Sequence, residues 1–384
     1  MRRGNEAVAA RGVQDFGDNR GSAMPQQLSI LEQPSELDRL RETLGIEFPN
    51  IDGARADASA FRQRLEPALD GLTSEDASIA LFGSLARDEF TSGSDVDWTV
   101  LIDGIANPKH LDVALETERV LKRLGAKAPG RENIFGKLAF SHEVIHQIGG
   151  ADDTNSNTTK RILLLLESAP AGRRDAFDRV LENILSRYIL EDARFLQESA
   201  QFHVPRFLLN DFARYWRTMA VDFAYKRRTR AKEGFAIRNI KLRMSRKLIF
   251  VSGLLACFSG HIFLSEPELF SLIGTANAPY EFVRHLRRVF AQTPLEIVAS
   301  IINRHEHLRP VGVQLFSAYE AFLGVLRDGQ KRDHLEKLEP DAENGDSLYQ
   351  ELRSCSHIFR DAVLTLFFDE ATGLSQLTRM YGIF

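Results

Sequence analysis

The chain is poor in cysteine: Cys257 and Cys355 are the only two in 384 residues. Two thiols cannot build a disulfide framework, which excludes a small secreted scaffold and points to a reducing, cytoplasmic setting. Charge of one sign is also lacking. Forty-nine Lys and Arg against 53 Asp and Glu give a net charge of −4, too little for nonspecific nucleic-acid binding by bulk charge. A long apolar run is missing too. The uncharged stretch Leu248 to Leu264 has seventeen residues and includes Ser252, Gly253, Ser259, Gly260 and His261. A membrane span needs about 20 mainly apolar residues, so this stretch reads as a buried helix and no membrane partner is expected. Arg2, Arg3 and Arg11 precede no apolar segment, so residues 1–25 read as a mobile tail rather than a signal peptide. What remains is ordinary for a globular protein, 43% apolar and 27% charged.

Periodicity divides the chain in two. Leu28 to Asp70 has helical spacing broken at Pro34-Ser35 and Phe48-Pro49. Ala77–Phe82 and Val96–Ile102 read as strands, Leu111–Leu124 as a helix closed by Gly125, Ile134–Phe140 as a third strand, and Ser141 to Gly149 as a short helix. From Thr158–Ser168 onward the pattern is helical, with one stripe at Leu208, Leu209, Phe212, Tyr215, Trp216, Met219 and Phe223. Residues 328–346 are dense in charge and read as a solvated loop or helix end. The expected fold class is α+β. A tail (1–25) precedes a small mixed-sheet core with N-terminal helices (26–170), and a helical region follows (171–384).

The most informative stretch is Ile79 to Ile102, IALFGSLARDEFTSGSDVDWTVLI. A strand runs into Gly83-Ser84, and Asp95 and Asp97 follow at the start of the next strand. Alternate residues of a strand share a face, so the two carboxylates point together and Val96 points away. Adjacent carboxylates repel unless a cation lies between them, and magnesium favours such oxygens together with substrate phosphates. A Gly-Ser turn before a helix offers N–H groups and a hydroxyl to an anion such as a triphosphate. The alternative is a strand-entry turn capped by Ser94, and the order G-S-x10-D-x-D between two apolar strands outweighs it.

This stretch resembles the DNA polymerase β superfamily of nucleotidyltransferases. It is most similar to the nucleotidyltransferase domain of the PII-protein uridylyltransferase and its short bacterial relatives. Gly83, Ser84, Arg87, Glu89, Ser94, Asp95 and Asp97 match their pattern, and Ala86 replaces its second glycine. The resemblance implies transfer of a nucleoside monophosphate from a nucleoside triphosphate, ATP among the candidates, to a protein, RNA or nucleotide acceptor, with release of pyrophosphate. It implies Mg2+ or Mn2+ at Asp95 and Asp97, and triphosphate at Gly83 and Ser84, with Arg87 as a further nucleotide contact. Many relatives carry a third carboxylate, for which Glu132 and Glu143 are the candidates. Without one, the chain would be a non-catalytic nucleotide-binding module.

Two other features compete for attention. His142-Glu143-Val144-Ile145-His146 fits H-E-x-x-H, the helical zinc motif of metallopeptidases, with Asp152 as a possible third ligand. An amphipathic helix with two polar histidines is the plainer explanation. Residues 212–247 hold twelve basic and two acidic residues, a local charge of +10. They read either as a solvated face or as an electropositive wall toward the carboxylates, with Arg238 and Lys241 as nucleotide-binding candidates.

Overall fold

The computed structural model describes residues 34–129, 135–198, 204–229, 234–264, 267–268 and 278–382. The expected tail, 1–25, lies outside them. The fold is α+β, and Ser35–Phe384 forms one compact unit.

Among the described residues four strands make the sheet: β1 (Ala77–Phe82), β2 (Asp97–Ile102), β3 (Lys137–Phe140) and β4 (Ser168–Ala171), in spatial order β3-β2-β1-β4. β1 is antiparallel to β2 and to β4, and β2 is parallel to β3. β1 is central and covered on both faces, so all six of its residues are buried. Ile79, Leu81, Trp98 and Val100 face one core, shared with Phe61 and Leu65 of α2 (Pro49–Ala68) and with Val120 and Leu121 of α3 (Lys109–Arg123). Ala80, Phe82 and Leu101 face the other and larger core, shared with the helical body. The body includes α5 (Asn155–Leu166), α6 (Asp175–Glu198), α7 (Arg206–Thr229), α8 (Phe235–Arg243) and α9 (Ser245–Phe263).

β1 occupies the span its apolar run predicts. β2 begins at Asp97, one residue later than expected, and Asp95 bridges to Lys127 just before it. β3 starts at Lys137, and Ile134 lies outside the described residues. α3 ends before Gly125, which takes φ 75° as a C-terminal glycine does. β4 is absent from the periodicity. Its sequence, SAPA, contains Pro170 and shows no strand pattern, but an edge strand paired on one side tolerates proline.

The helical stretch 235–263 is apolar and long enough to cross a membrane by composition, yet most of α9 is packed inside the fold. Gly253 allows this. A Cβ there would stand 3.1 Å from the Phe212 ring and 3.2 Å from Leu166.

Two further helices reach back to the sheet domain, α12 (Arg309–Arg327) and α13 (Gly329–Lys337); α10 (Ala278–Phe290) and α11 (Pro294–Arg304) precede them, and α14 (Ser347–Phe367) packs on α12. α2 has no side-chain cap at Phe48. Glu320 of α12 takes that part, accepting from the Asn50 and Ile51 N–H groups at 2.7 and 2.9 Å. The charged segment 328–346 is not simply a solvated loop. Asp328 accepts from the Gln330 and Lys331 N–H groups and starts α13.

Candidate active site

Phe82, the last residue of β1, is paired with Asp97, the first of β2. Gly83 then turns the chain at φ 70°, a left-handed conformation that favours glycine. A Cβ on Gly83 would lie 3.3 Å from Asp97 Oδ2, so the missing side chain is what lets the turn close over that carboxylate. Residues 83–88 form consecutive turns rather than the expected helix start. The Arg87 N–H donates to Gly83 O at 3.0 Å and the Glu89 N–H to Ser84 O at 2.8 Å. Asp88, held by Arg62, sits at φ 59°, which stops helix propagation there.

Val96 is wholly buried, Asp95 is exposed and Asp97 is half-buried. The alternation expected from the sequence therefore holds. Asp97 shares its side of the sheet with Leu101, which faces the helical body.

Two cations from that body feel the two carboxylates electrostatically. Lys241 of α8 has its ammonium pKa lowered to about 8, by burial and then by Arg332 nearby, while Asp95 pulls the other way. Arg246 of α9 is held above its ordinary value: burial is the largest influence and opposes its charge, but Glu167, Tyr215 and Asp97 together outweigh it. Arg87 is buried, with Nε and Nη2 donating to Glu89 and Nη1 to Glu167. The Tyr319 hydroxyl donates to Glu89 Oε1 at 2.8 Å, and Arg246 Nη1 donates to Glu167 Oε1 at 3.3 Å. The guanidinium of Arg87 thus ties the Gly-Ser turn to its own loop and to the end of α5. Arg238 stands three residues before Lys241 on α8 and is half-buried.

Arg246, Arg332 and Glu167 were not singled out by motif. Arg246 lies in the basic segment, the one signal pointing to it. Arg332 lies in the segment expected to be solvated, and nothing local marks it. Glu167 closes an apolar helical run and gives no signal of its own.

Of the candidates for a third carboxylate, Glu132 lies outside the described residues. Glu143 pairs with Lys160 Nζ at 3.5 Å. β3, beside β2, reads KLAF and carries no acid. Two buried acids lie near the turn: Glu89, held by Arg87 and Tyr319, and Glu167, on the β4 side of the sheet, held by Arg87 and Arg246. In the H-E-x-x-H segment, α4 spans only Ser141–Ile145 and the His142 and His146 rings lie 5.1 Å apart. Asp152 is exposed, and its neighbour Asp153 binds Arg161 at 2.9 Å. Among the described residues no three His, Cys, Asp or Glu side chains are grouped to hold one ion. Asp95 and Asp97 offer two carboxylates two residues apart; an ion held by them would be completed by phosphate oxygens and water. Gly83's bare Cα beside Asp97 leaves space for such a group.

The family model of the nucleotidyltransferase domain matches residues 62–128. The match runs from the second half of α2 through β1, the turn and β2 to the end of α3. It supports the polymerase β-type resemblance for this part of the chain and, with it, a transferase that uses a nucleoside triphosphate. No curated protein and no solved structure matches the chain.

Proposed function

We propose that the chain is a divalent-metal-dependent nucleotidyltransferase of the polymerase β type, nearest in motif to the PII-protein uridylyltransferase domain. The carrying observation is Gly83 closing on Asp97, with Lys241 in the electrostatic reach of Asp95 and Arg246 in that of Asp97. Asp95 and Asp97 would hold Mg2+ or Mn2+, which when bound offsets the charge that develops on the phosphates. Gly83 and Ser84 would receive the triphosphate. Lys241 and Arg246, with Arg238 a turn away, would face its negative charge from the helical body. Arg87 takes a positioning part, since its guanidinium is already engaged by Glu89 and Glu167. The acceptor oxygen forms the new bond to the α-phosphorus, and the bond to the bridging oxygen breaks. Pyrophosphate departs with the electron pair, and the acceptor's proton passes to solvent. A protein, an RNA end or a second nucleotide fits the acceptor role.

The test is thermal unfolding of the chain with Mg2+ and each of ATP, GTP, CTP and UTP. At a nucleotide concentration of 100 times its Kd, binding stabilises the fold by about 2.7 kcal/mol. At least one nucleotide should raise the midpoint, and Asp95→Asn with Asp97→Asn should remove the rise. An equal rise in the double variant would overturn the assignment.

A further inference from the structure

Arg332 of α13 lies about 240 residues beyond the motif in sequence and against it in space. It is 8% exposed. A Cβ on Gly93 would fall 2.6 Å from its Nε and 2.7 Å from its Cζ, so the guanidinium occupies the place a side chain at 93 would need. Nη1 donates to Thr91 Oγ1 at 3.1 Å, and Nε donates to Glu336 Oε1 at 3.1 Å. Thr91 is closed onto Ser94. Their hydroxyls are 3.0 Å apart, the Thr91 N–H donates to Ser94 Oγ at 3.2 Å, and the Ser94 N–H donates to Thr91 O at 2.9 Å. All three side chains are buried. The next residue is Asp95. On its far side the Val96 N–H donates to Lys127 O at 3.1 Å. Glu336 is engaged twice, because its carbonyl accepts from Gly234 at the start of α8, the helix that carries Lys241.

We propose that Arg332 is a positioning residue: through Thr91 and Ser94 it sets the place of the Asp95 carboxylate, and through Glu336 it fixes the helix bearing Lys241 against it. The proposal rests on Asp95 belonging to a metal–phosphate site. It gives T-S-G-S-D a physical reason. Thr91 and Ser94 close the loop, and Gly93 admits the guanidinium. Arginine suits the task because its rigid fork reaches two acceptors at once, which a lysine ammonium on a flexible stem does not reproduce.

Inorganic tripolyphosphate with Mn2+ probes the site without choosing a base. Binding is followed by isothermal titration calorimetry, and unfolding temperature is measured beside it. Thr91→Val and Arg332→Lys should each weaken binding roughly ten- to a hundredfold, as loss of a ligand's supporting partner does. The unfolding temperature should fall by less than about 4 °C. The double variant should bind no worse than the weaker single one, since both cut one chain of contacts. Thr91→Ser, which keeps the hydroxyl, should bind like the wild type. Wild-type binding by Thr91→Val or by Arg332→Lys overturns the proposal. So does an additive double variant, because then Arg332 acts only as a charge. Asp95→Asn with Asp97→Asn separates the levels. If that variant or the wild type shows the metal–phosphate reading to be wrong, both proposals fall. If its binding is lost while the Thr91 and Arg332 variants bind normally, only the positioning role falls. Should Arg332→Lys not fold, Thr91→Val decides alone.

Discussion

Gly83 meets two separate demands, one from the backbone and one from its neighbour. Its φ of 70° would cost an alanine about 1–2 kcal/mol of strain. Gly45, at φ 64° after α1 (Glu36–Leu44), makes the same backbone demand, but nothing lies within 4 Å of a Cβ placed there. A Cβ on Gly83 presses toward Asp97 at 3.3 Å. Gly45→Ala and Gly83→Ala should therefore lose similar stability. Only Gly83→Ala should also lose the midpoint rise given by Mg2+ and a nucleoside triphosphate. Thermal unfolding of both variants, with and without nucleotide, checks this, and a full rise in Gly83→Ala would remove the turn from the site. At this scale the sequence is a good guide. Gly-Ser and Asp-x-Asp are local patterns, and strand alternation alone orients both carboxylates. Arg87 matched the family pattern equally well, yet its partner Glu167 is eighty residues away, and no local rule announces that pairing.

Between elements, buried ion pairs do work that periodicity does not reveal. Arg161 of α5 has no solvent exposure. It donates to Asp153 before its own helix, to the Tyr188 hydroxyl of α6 at 2.6 Å and to Asp211 of α7 at 2.8 Å. Arg214 of α7 reaches Asp153 as well, donating to its carbonyl at 2.7 Å. Arg161→Met keeps volume and removes the cation, leaving Asp153 and Asp211 short of a partner in a dry site. Breaking a buried pair in this way costs about 3–5 kcal/mol. Urea unfolding should show a loss of that order, and a loss under about 1 kcal/mol would mean that water reaches the cluster. In the sequence, Arg161 sits in KRILLLLES beside Lys160 and looks like one more surface cation. β4 escaped for a related reason. SAPA acquires its strand geometry from pairing with β1, and pairing partners 90 residues apart leave no periodic trace. α13 reads as solvated because its composition is polar, although Arg332 and Leu335 are buried.

Across the whole molecule, the α+β class was legible because β1, β2 and α3 have strong apolar periods and the later helices have long amphipathic stripes. In the order of elements, β4 ends at Ala171 and α6 begins at Asp175. The packing crosses that point. Ala80, Phe82 and Leu101 of the sheet share one core with Phe212, Leu255 and Phe316. Tyr319 supports Glu89, Arg246 supports Glu167, Glu320 caps α2, and Arg332 braces the loop before Asp95. A fragment covering 35–174 would bare an apolar sheet face and leave Glu89 and Glu167 without two of their partners. Arg87 lies within the fragment and still pairs with both, so the larger loss is the shared apolar core, against a total stability of about 5–15 kcal/mol for a typical domain. The fragment should therefore show no cooperative unfolding transition. The intact chain should unfold in one transition, with far-ultraviolet and near-ultraviolet circular dichroism coincident. A fragment that melts cooperatively and gains stability from Mg2+ and a nucleoside triphosphate would instead make the sheet and its two N-terminal helices an autonomous domain. The helical region would then contribute charge to the site without being required for its fold.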